Sequence, residues 1–278
     1  MTLIPAGPDE VRLWQDSAPL SRGSGAKDIP LLTVFPPQSG RGNVPAIIIC
    51  PGGGYGMRVD DFEGVHVAEW FAARGWAAFV LKYRIPADGY SHPVPLLDAQ
   101  RAMRLVRHRA AEWKIAPAKV GIMGFSAGGH LAATLDTHFD AGDAKAADPV
   151  ERPGCRPDFA VLVYAVISMR DGVTDPGSKQ QLLGPNPDPA LVENLSTEKQ
   201  VTPQTPPTLV ISTPEDDIVP FKNSELMYEA LQKAGIPSAF QVYSNRPHGW
   251  GWGHDPDQSP PGWLDRVTDW LAGQGFKA

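Results

Sequence analysis

The sequence predicts an α/β protein: one domain spanning 1–278, with a mostly parallel central sheet and helices on both faces. Three observations predict it. From Ala46 onward, short apolar runs alternate with longer amphipathic stretches, the rhythm of parallel strands joined by crossover helices. The runs are apolar almost throughout rather than at every second position, which suits strands buried on both faces. A chain of 278 residues with 42% apolar and 20% charged positions can also bury one large core without a disulfide or metal staple.

The elements follow in order. Segments around 11–15 and 31–35 predict antiparallel edge strands ahead of the parallel series. AIIIC at 46–50 is the first parallel strand. A helical pattern over 62–74 follows and stops at Gly75, a residue suited to the left-handed helix terminus. AAFVLKY at 77–83 is the next strand, 96–114 the next helix and VGIMGF at 120–125 the next strand. A helix over 130–138 leads to FAVLVYAVI at 159–167. The stretch 170–207 is rich in Pro, Gly, Asp and Asn, holds only short helical pieces, and interrupts the alternation between two strands, either as part of a lid or rim over the site or as a surface excursion with no contact to substrate. TLVIST at 208–213, a helix over 222–233 stopped by Gly235, AFQVY at 239–243 and a helix over 262–272 complete the series.

Composition excludes several functions. Twenty-five basic against thirty-one acidic residues give a net charge of −6, the wrong sign for gripping a nucleic acid. The most basic run, 101–114, carries apolar residues at helical spacing, so its cations form a solvated helix face. No apolar stretch reaches membrane-spanning length, and the N-terminal segment lacks the layout of a signal peptide, so a cytoplasmic protein is expected. Cys50 and Cys155 show no C-x-x-C spacing and fit buried thiols in a reducing compartment. Oligomeric state leaves no mark in the sequence.

The sharpest chemical signal is Gly124-Phe125-Ser126-Ala127-Gly128, a G-x-S-x-G between a predicted strand and a predicted helix. A serine at such a turn adopts strained geometry, and glycines two before and two after avoid collisions with the neighbouring strand and helix. The hydroxyl then stands clear of the sheet, above a helix N-terminus with unpaired N–H groups. Serine is a weak nucleophile at neutral pH, so a base and an orienting carboxylate are required, both later in the chain. Of seven histidines, only His248 and His254 follow the last strand. His248, in Arg246-Pro247-His248-Gly249, is the expected base, and His254 beside Asp255 and Pro256 reads as turn chemistry. His130, on the helix after the serine, reads as a packing or polar contact.

The acid is expected in the loop after TLVIST, where Glu215, Asp216 and Asp217 stand together. Residue chemistry alone does not choose among them. Glycines 52, 53, 54 and 56 follow the first parallel strand without the Lys-Ser/Thr of a phosphate-binding loop. Gly53 and Gly54, with Ala127 after the serine, are the expected oxyanion donors, and the Tyr55 amide is a further possibility. With no H-E-x-x-H and no Cys/His cluster, neither a metal nor an organic cofactor is implied.

PGGGY at 51–55, LKYR at 81–84, the blocks HPVPLLDAQRAMRLVRHRAAEWKI and VGIMGFSAGGHLAA between 92 and 133, TPPTLVISTPEDDIVP at 205–220 and RPHGWG at 246–251 together resemble the α/β-hydrolase superfamily. Within it they resemble the acetylxylan-esterase-like, xylanase-associated carbohydrate esterases. The resemblance implies an α/β-hydrolase fold and a serine esterase without cofactor. It places the acid three and four residues before a Val-Pro pair, at Asp216, and the base in a His-Gly pair, at His248. Pro51 stands where related esterases write the histidine of His-Gly-Gly-Gly, which leaves the identity of the two loop donors open. The chain has no length for the propeller domain of prolyl-peptidase relatives.

The implied substrate is a short acyl ester, acetate above all, on a sugar or oligosaccharide. Trp250 and Trp252 are then candidate stacking platforms for a sugar ring, with Tyr55 and Arg84 further candidate contacts; packing is the competing role for the tryptophans. A generalist short-chain carboxylesterase or a small-molecule amidase or formamidase could use the same three residues. A catalytically silent binding protein is the non-enzyme alternative, but Ser126, Asp216 and His248 are all present.

Overall fold

The computed structural model describes residues 9–39, 42–251 and 259–278. Among the described residues, eight strands form one sheet: β1 (Asp9–Arg12), β2 (Leu31–Phe35), β3 (Val44–Cys50), β4 (Ala77–Lys82), β5 (Ile115–Phe125), β6 (Ala160–Val163), β7 (Thr208–Ser212) and β8 (Ser238–Val242). Their order is β1-β2-β4-β3-β5-β6-β7-β8. β1 and β2 pair antiparallel at one edge, and all pairings from β4 to β8 are parallel. After β3 the chain crosses to β4 on one side, then returns past β3 to β5 on the other. The crevice beyond the ends of β3 and β5 is therefore a topological switch point, where open α/β sheets place their ligands.

Successive residues of β3 feed opposite cores, which is why its sequence is apolar without alternation. Ala46, Ile48 and Cys50 join a cluster that takes in Met103, Leu131 and Leu231. These come from α2 (Val94–His108), α3 (Ser126–Thr137) and α6 (Lys222–Lys233). Ile47 and Ile49 face the other cluster, with Phe71 of α1 (His66–Ala73) and Leu271 of α7 (Trp263–Gly273).

Several elements differ from the periodicity reading, three of them in ways that shape the chain's course. The apolar run 159–167 is a strand only to Val163, because Tyr164 turns to φ 35°. Beyond it, the Val166 N–H donates to the Ser126 carbonyl instead of to β7. Helix α2 ends at His108 and a turn closed by Lys114 at φ 57° brings the chain back into β5. Helix α3 begins at Ser126 itself, four residues before the apolar periodicity starts.

The segment 170–207 folds into α4 (Pro176–Leu183), α5 (Pro189–Asn194) and a 3-10 turn. Asp175 and Asp188 cap the two helices by accepting their first free N–H groups. The segment and the residues leading into it are bonded to the rest of the fold at several points. Asn223 Oδ1 accepts the N–H groups of Ile167 and Ser168, and its Nδ2 donates to the Val173 carbonyl at 2.7 Å. Ser196 Oγ accepts from Met169. Among the described residues, no helix is long and apolar enough to cross a membrane.

Candidate active site

Parallel register sets the floor of the site: Cys50 pairs with Gly124, so the loop after β3 and the turn after β5 leave the sheet level with one another. Ser126 sits on that turn at φ 52°, a conformation costing an L-residue about 1–2 kcal/mol. The flanking glycines are steric requirements. A Cβ at Gly124 would lie 2.2 Å from the Gly128 carbonyl oxygen, and one at Gly128 would lie 2.2 Å from that of Cys50.

The histidine and the acid arrive from β8 and β7. His248 Nε2 lies 2.9 Å from Ser126 Oγ, and its Nδ1 lies 2.7 Å from Asp216 Oδ2. An ionised Asp216 can only accept, so Nδ1 carries the hydrogen and the Nε2 lone pair is left to face the hydroxyl. The Asp216 side chain is wholly buried, and its Oδ1 accepts the N–H groups of Ile218 and Val219 at 3.0 and 2.8 Å. Those two bonds aim Oδ2 at the imidazole.

Its neighbours have other work. Glu215 accepts from the Thr213 hydroxyl and the Asn245 N–H, bonds that hold its carboxyl below the usual range, the first being the larger cause. It thereby laces the acid loop to the histidine loop. Asp217 is exposed, and helix α6 has no side-chain cap.

In the glycine loop, the Gly53 carbonyl accepts from Gly56 and Met57, folding the chain back on itself. Gly53 stands at φ 121° and Gly54 at φ 62°. The Gly52 N–H is not available to a ligand, since it donates to Glu63 Oε2 at 2.8 Å. Ala127 lies in the first turn of α3, where N–H groups have no intrahelical partner.

Three of the four candidate substrate contacts are described, and none faces the site as a free side chain. Arg84 is buried against Asp98, with Nη2 to Oδ1 at 2.6 Å, while its Nη1 donates to the Pro19 carbonyl. It pins the chain after β4 to helix α2. Trp250 is 1% exposed and packs edge-on against Tyr164 and Trp263; Gly249 and Gly251, at φ 75° and 35°, turn the chain so that the indole enters the core. Tyr55 is equally buried, and its hydroxyl donates to His130 Nδ1 at 2.8 Å. That direction follows from the other ring nitrogen, which gives its hydrogen to the Leu195 carbonyl at 2.9 Å. Burial lowers His130 to about 4, so the ring is a neutral strut between the glycine loop, α3 and the 170–207 segment. Trp252 and His254 lie outside the described residues.

Two residues that the motif reading passes over are built into the site. Glu63 stands in a π-turn, Asp61–Val65, before α1, and is 3% exposed. Tyr164, at the end of β6, lies edge-on to the His248 ring at 4.9 Å between centroids, and its hydroxyl donates to Glu63 Oε1 at 2.8 Å. A signal for Glu63 is present in the sequence. It falls four, seven and eight positions before Val67, Trp70 and Phe71, on the apolar stripe of its helical pattern, and a carboxylate there must be bonded in the interior.

An open, mostly parallel sheet with the serine turn at its switch point is the α/β-hydrolase fold. A narrower group follows from comparison with known proteins: residues 32–231 match the BD-FAE family, and the chain belongs to it. It is 36% identical over 226 residues to an acetylxylan esterase of Xylanibacter ruminicola, a match covering 80% of this chain and 44% of that protein. With endo-1,4-beta-xylanase B of Butyrivibrio fibrisolvens it shares 40% identity over 207 residues, 73% of this chain and 32% of that one. The chain thus spans less than half the length of either relative. Among solved structures, an acetyl ester-xyloside bifunctional hydrolase from Caldicellulosiruptor lactoaceticus superposes over the whole of both chains with a TM-score of 0.91 and 41% identity.

Proposed function

We propose that this chain is a serine carboxylic-ester hydrolase that removes acetyl or other short acyl groups from a sugar or oligosaccharide. The observation that carries the reading is the unbroken run of contacts from Ser126 Oγ through His248 to a buried Asp216. His248 takes the hydroxyl proton as Ser126 attacks the ester carbonyl, and Asp216 holds the imidazole in the required tautomer and steadies the imidazolium. The amide of Ala127, with those of Gly53 and Gly54, receives the negative charge on the tetrahedral oxygen. His248 returns its proton to the departing alcohol, and water then repeats the sequence on the acyl-enzyme. The bond from the Leu195 carbonyl through His130 to Tyr55 of the glycine loop supports reading the 170–207 segment as a rim of this site.

The acetyl and xylan parts of the reading draw their support from the relatives, named as an acetylxylan esterase, a xylanase and an acetyl ester-xyloside hydrolase. Two measurements test it. Ser126→Ala should lower turnover of p-nitrophenyl acetate by several orders of magnitude with the fold unchanged, and activity within tenfold of the parent protein rejects Ser126 as the nucleophile. A panel of acetate, butyrate and octanoate esters, acetylated xylan and aryl amides then reads the substrate class. A preference for octanoate or for amides sinks the acetyl-ester assignment.

A further inference from the structure

The buried carboxylate of Glu63 touches three stretches of chain that are remote in sequence. Oε2 accepts the Gly52 N–H in the glycine loop. Oε1 accepts the hydroxyl of Tyr164, whose oxygen in turn accepts the Gly251 N–H, three residues beyond His248, at 2.9 Å. The stem is engaged as well, since a Cβ at Gly251 would lie 3.2 Å from Glu63 Cγ. On its other side, a Cβ at Gly52 would lie 2.7 Å from Glu63 Oε2 and 2.9 Å from Ser126 Cβ. Only one backbone position therefore separates this carboxylate from the serine. Tyr164 reaches its place through a left-handed backbone, φ 35°, strain of the kind that persists where surrounding bonds over-determine a functional site.

Resting on the esterase reading above, we propose that Glu63, acting through Gly52 and Tyr164, is the positioning residue that locks the glycine loop and the histidine loop into one catalytic geometry. Its two bonds do different things. By occupying the Gly52 N–H it fixes the peptide planes that follow, and so the direction of the Gly53 and Gly54 amides. By holding the Tyr164 hydroxyl it sets the ring beside His248 and, through Gly251, the far end of the histidine loop. Both partners of the carboxylate are donors, so the ionised form fits the network. Burial pushes the carboxyl up, and the Tyr164 and Gly52 bonds pull it back.

Glu63→Gln tests this with little change of shape. With its amide oxygen on Gly52, glutamine can offer Tyr164 only an NH2, which must donate to a phenol oxygen that already accepts from Gly251 and which leaves the phenol hydrogen without the carboxylate. We expect kcat on p-nitrophenyl acetate to fall about 10- to 100-fold, somewhat less than the loss of a whole oxyanion donor, with KM within about twofold. The rate at which a fluorophosphonate probe labels Ser126 should fall by the same factor, in protein shown by its melting curve to be folded at the assay temperature. Tyr164→Phe should lose several-fold, and the double variant should lose less than the product of the two, because one network carries both effects.

A folded Glu63→Gln protein with parental kcat and labelling rate overturns the proposal, as does a loss confined to KM or losses that simply multiply. If Glu63→Gln does not fold, Tyr164→Phe carries the test alone, and parental labelling by that variant is the refuting result. Labelling also separates the two claims. A parent protein that labels but cleaves no ester removes the substrate reading and leaves the Glu63 comparison intact, whereas a parent that does neither overturns both.

Discussion

Arg84→Met should damage stability and leave substrate recognition alone. The guanidinium and its partner Asp98 are 1% and 0% exposed at their side chains, and Asp98 accepts from Nε, Nη2 and the Arg84 backbone N–H. Methionine keeps much of the stem but abandons a buried carboxylate, and removing one partner of a buried pair costs about 3–5 kcal/mol. Unfolding entropy of about 2.1 cal/mol/K per residue converts that into a fall of about 5–9 °C in Tm. The pH dependence is the sharper test. Asp98 is pushed up by burial, against the pull of Arg84, to about 6, and without the cation it must rise further.

A carboxyl whose pKa is raised on folding destabilises the fold as pH climbs through that value. The variant's extra penalty therefore opens above pH 6 and widens by about 1.4 kcal/mol for each unit by which its Asp98 exceeds the parent's. Below pH 6 both proteins carry a protonated Asp98 and the gap should be flat. Calorimetric melts at pH 5, 6, 7 and 8, with KM measured alongside, read all of this. A raised KM with an unchanged Tm would restore Arg84 to the substrate contacts, and a gap that grows toward acid would refute the electrostatic argument.

Asp216→Asn should lower kcat on the order of 10⁴-fold, whereas Asp217→Asn at its exposed neighbouring position should stay within about twofold of the parent; equal losses would mean that the bonds from Ile218 and Val219 do not select the acid. His130 is lowered on folding to about 4, so its contribution to stability is whole above its unfolded value near 6.5 and is lost as pH falls toward 4. In chemical denaturation the parent should therefore lose about 3 kcal/mol over that interval that His130→Gln does not, and parallel pH profiles would contradict it. Gly54→Ala has open space around its Cβ and only the positive φ to resist it, so it should cost about 1–2 kcal/mol. Gly128→Ala, driven into two carbonyl oxygens, should yield no folded protein, and a soluble Gly128→Ala enzyme would contradict the close packing of α3 on β3.

The parts of this fold that are legible in one dimension are those set by local pattern. Buried parallel strands announce themselves as apolar runs, and the serine turn announces itself because two glycines must flank it. What escapes is decided by partners distant in sequence. Tyr164 lies inside an apolar run that predicts extended strand, and only the neighbouring serine turn, whose carbonyl takes the Val166 N–H, bends it away. Trp250 stands two residues from His248 and reads as a site aromatic until the glycines on either side turn it inward. Arg84 looks like a free cation because Asp98, fourteen positions on, meets it only once β4 and α2 are packed. Three consecutive carboxylates cannot be ranked by type, and it is the two loop N–H groups on Oδ1 that distinguish Asp216.

Three of the seven described non-glycine residues of positive φ lie where these long-range bonds converge. Three adjacent strands, β3, β5 and β6, each run at the carboxyl edge into a non-glycine residue of positive φ: Tyr55 at 60°, Ser126 at 52° and Tyr164 at 35°. Each costs of order 1–3 kcal/mol, and each residue is tied to a distant part of the chain by a hydrogen bond. The Tyr55 hydroxyl is tied to His130, the Ser126 carbonyl to Val166 and the Tyr164 hydroxyl to Glu63 and Gly251. Glycine would remove the backbone penalty at Tyr55 or Tyr164, but it would remove the tethering hydroxyl as well. At Tyr55 and Tyr164 the strain is therefore the cost of using side chains to fix the loop geometry, while Ser126 is tied through its own backbone carbonyl. That is the arrangement expected of a site whose groups must be oriented before the substrate arrives.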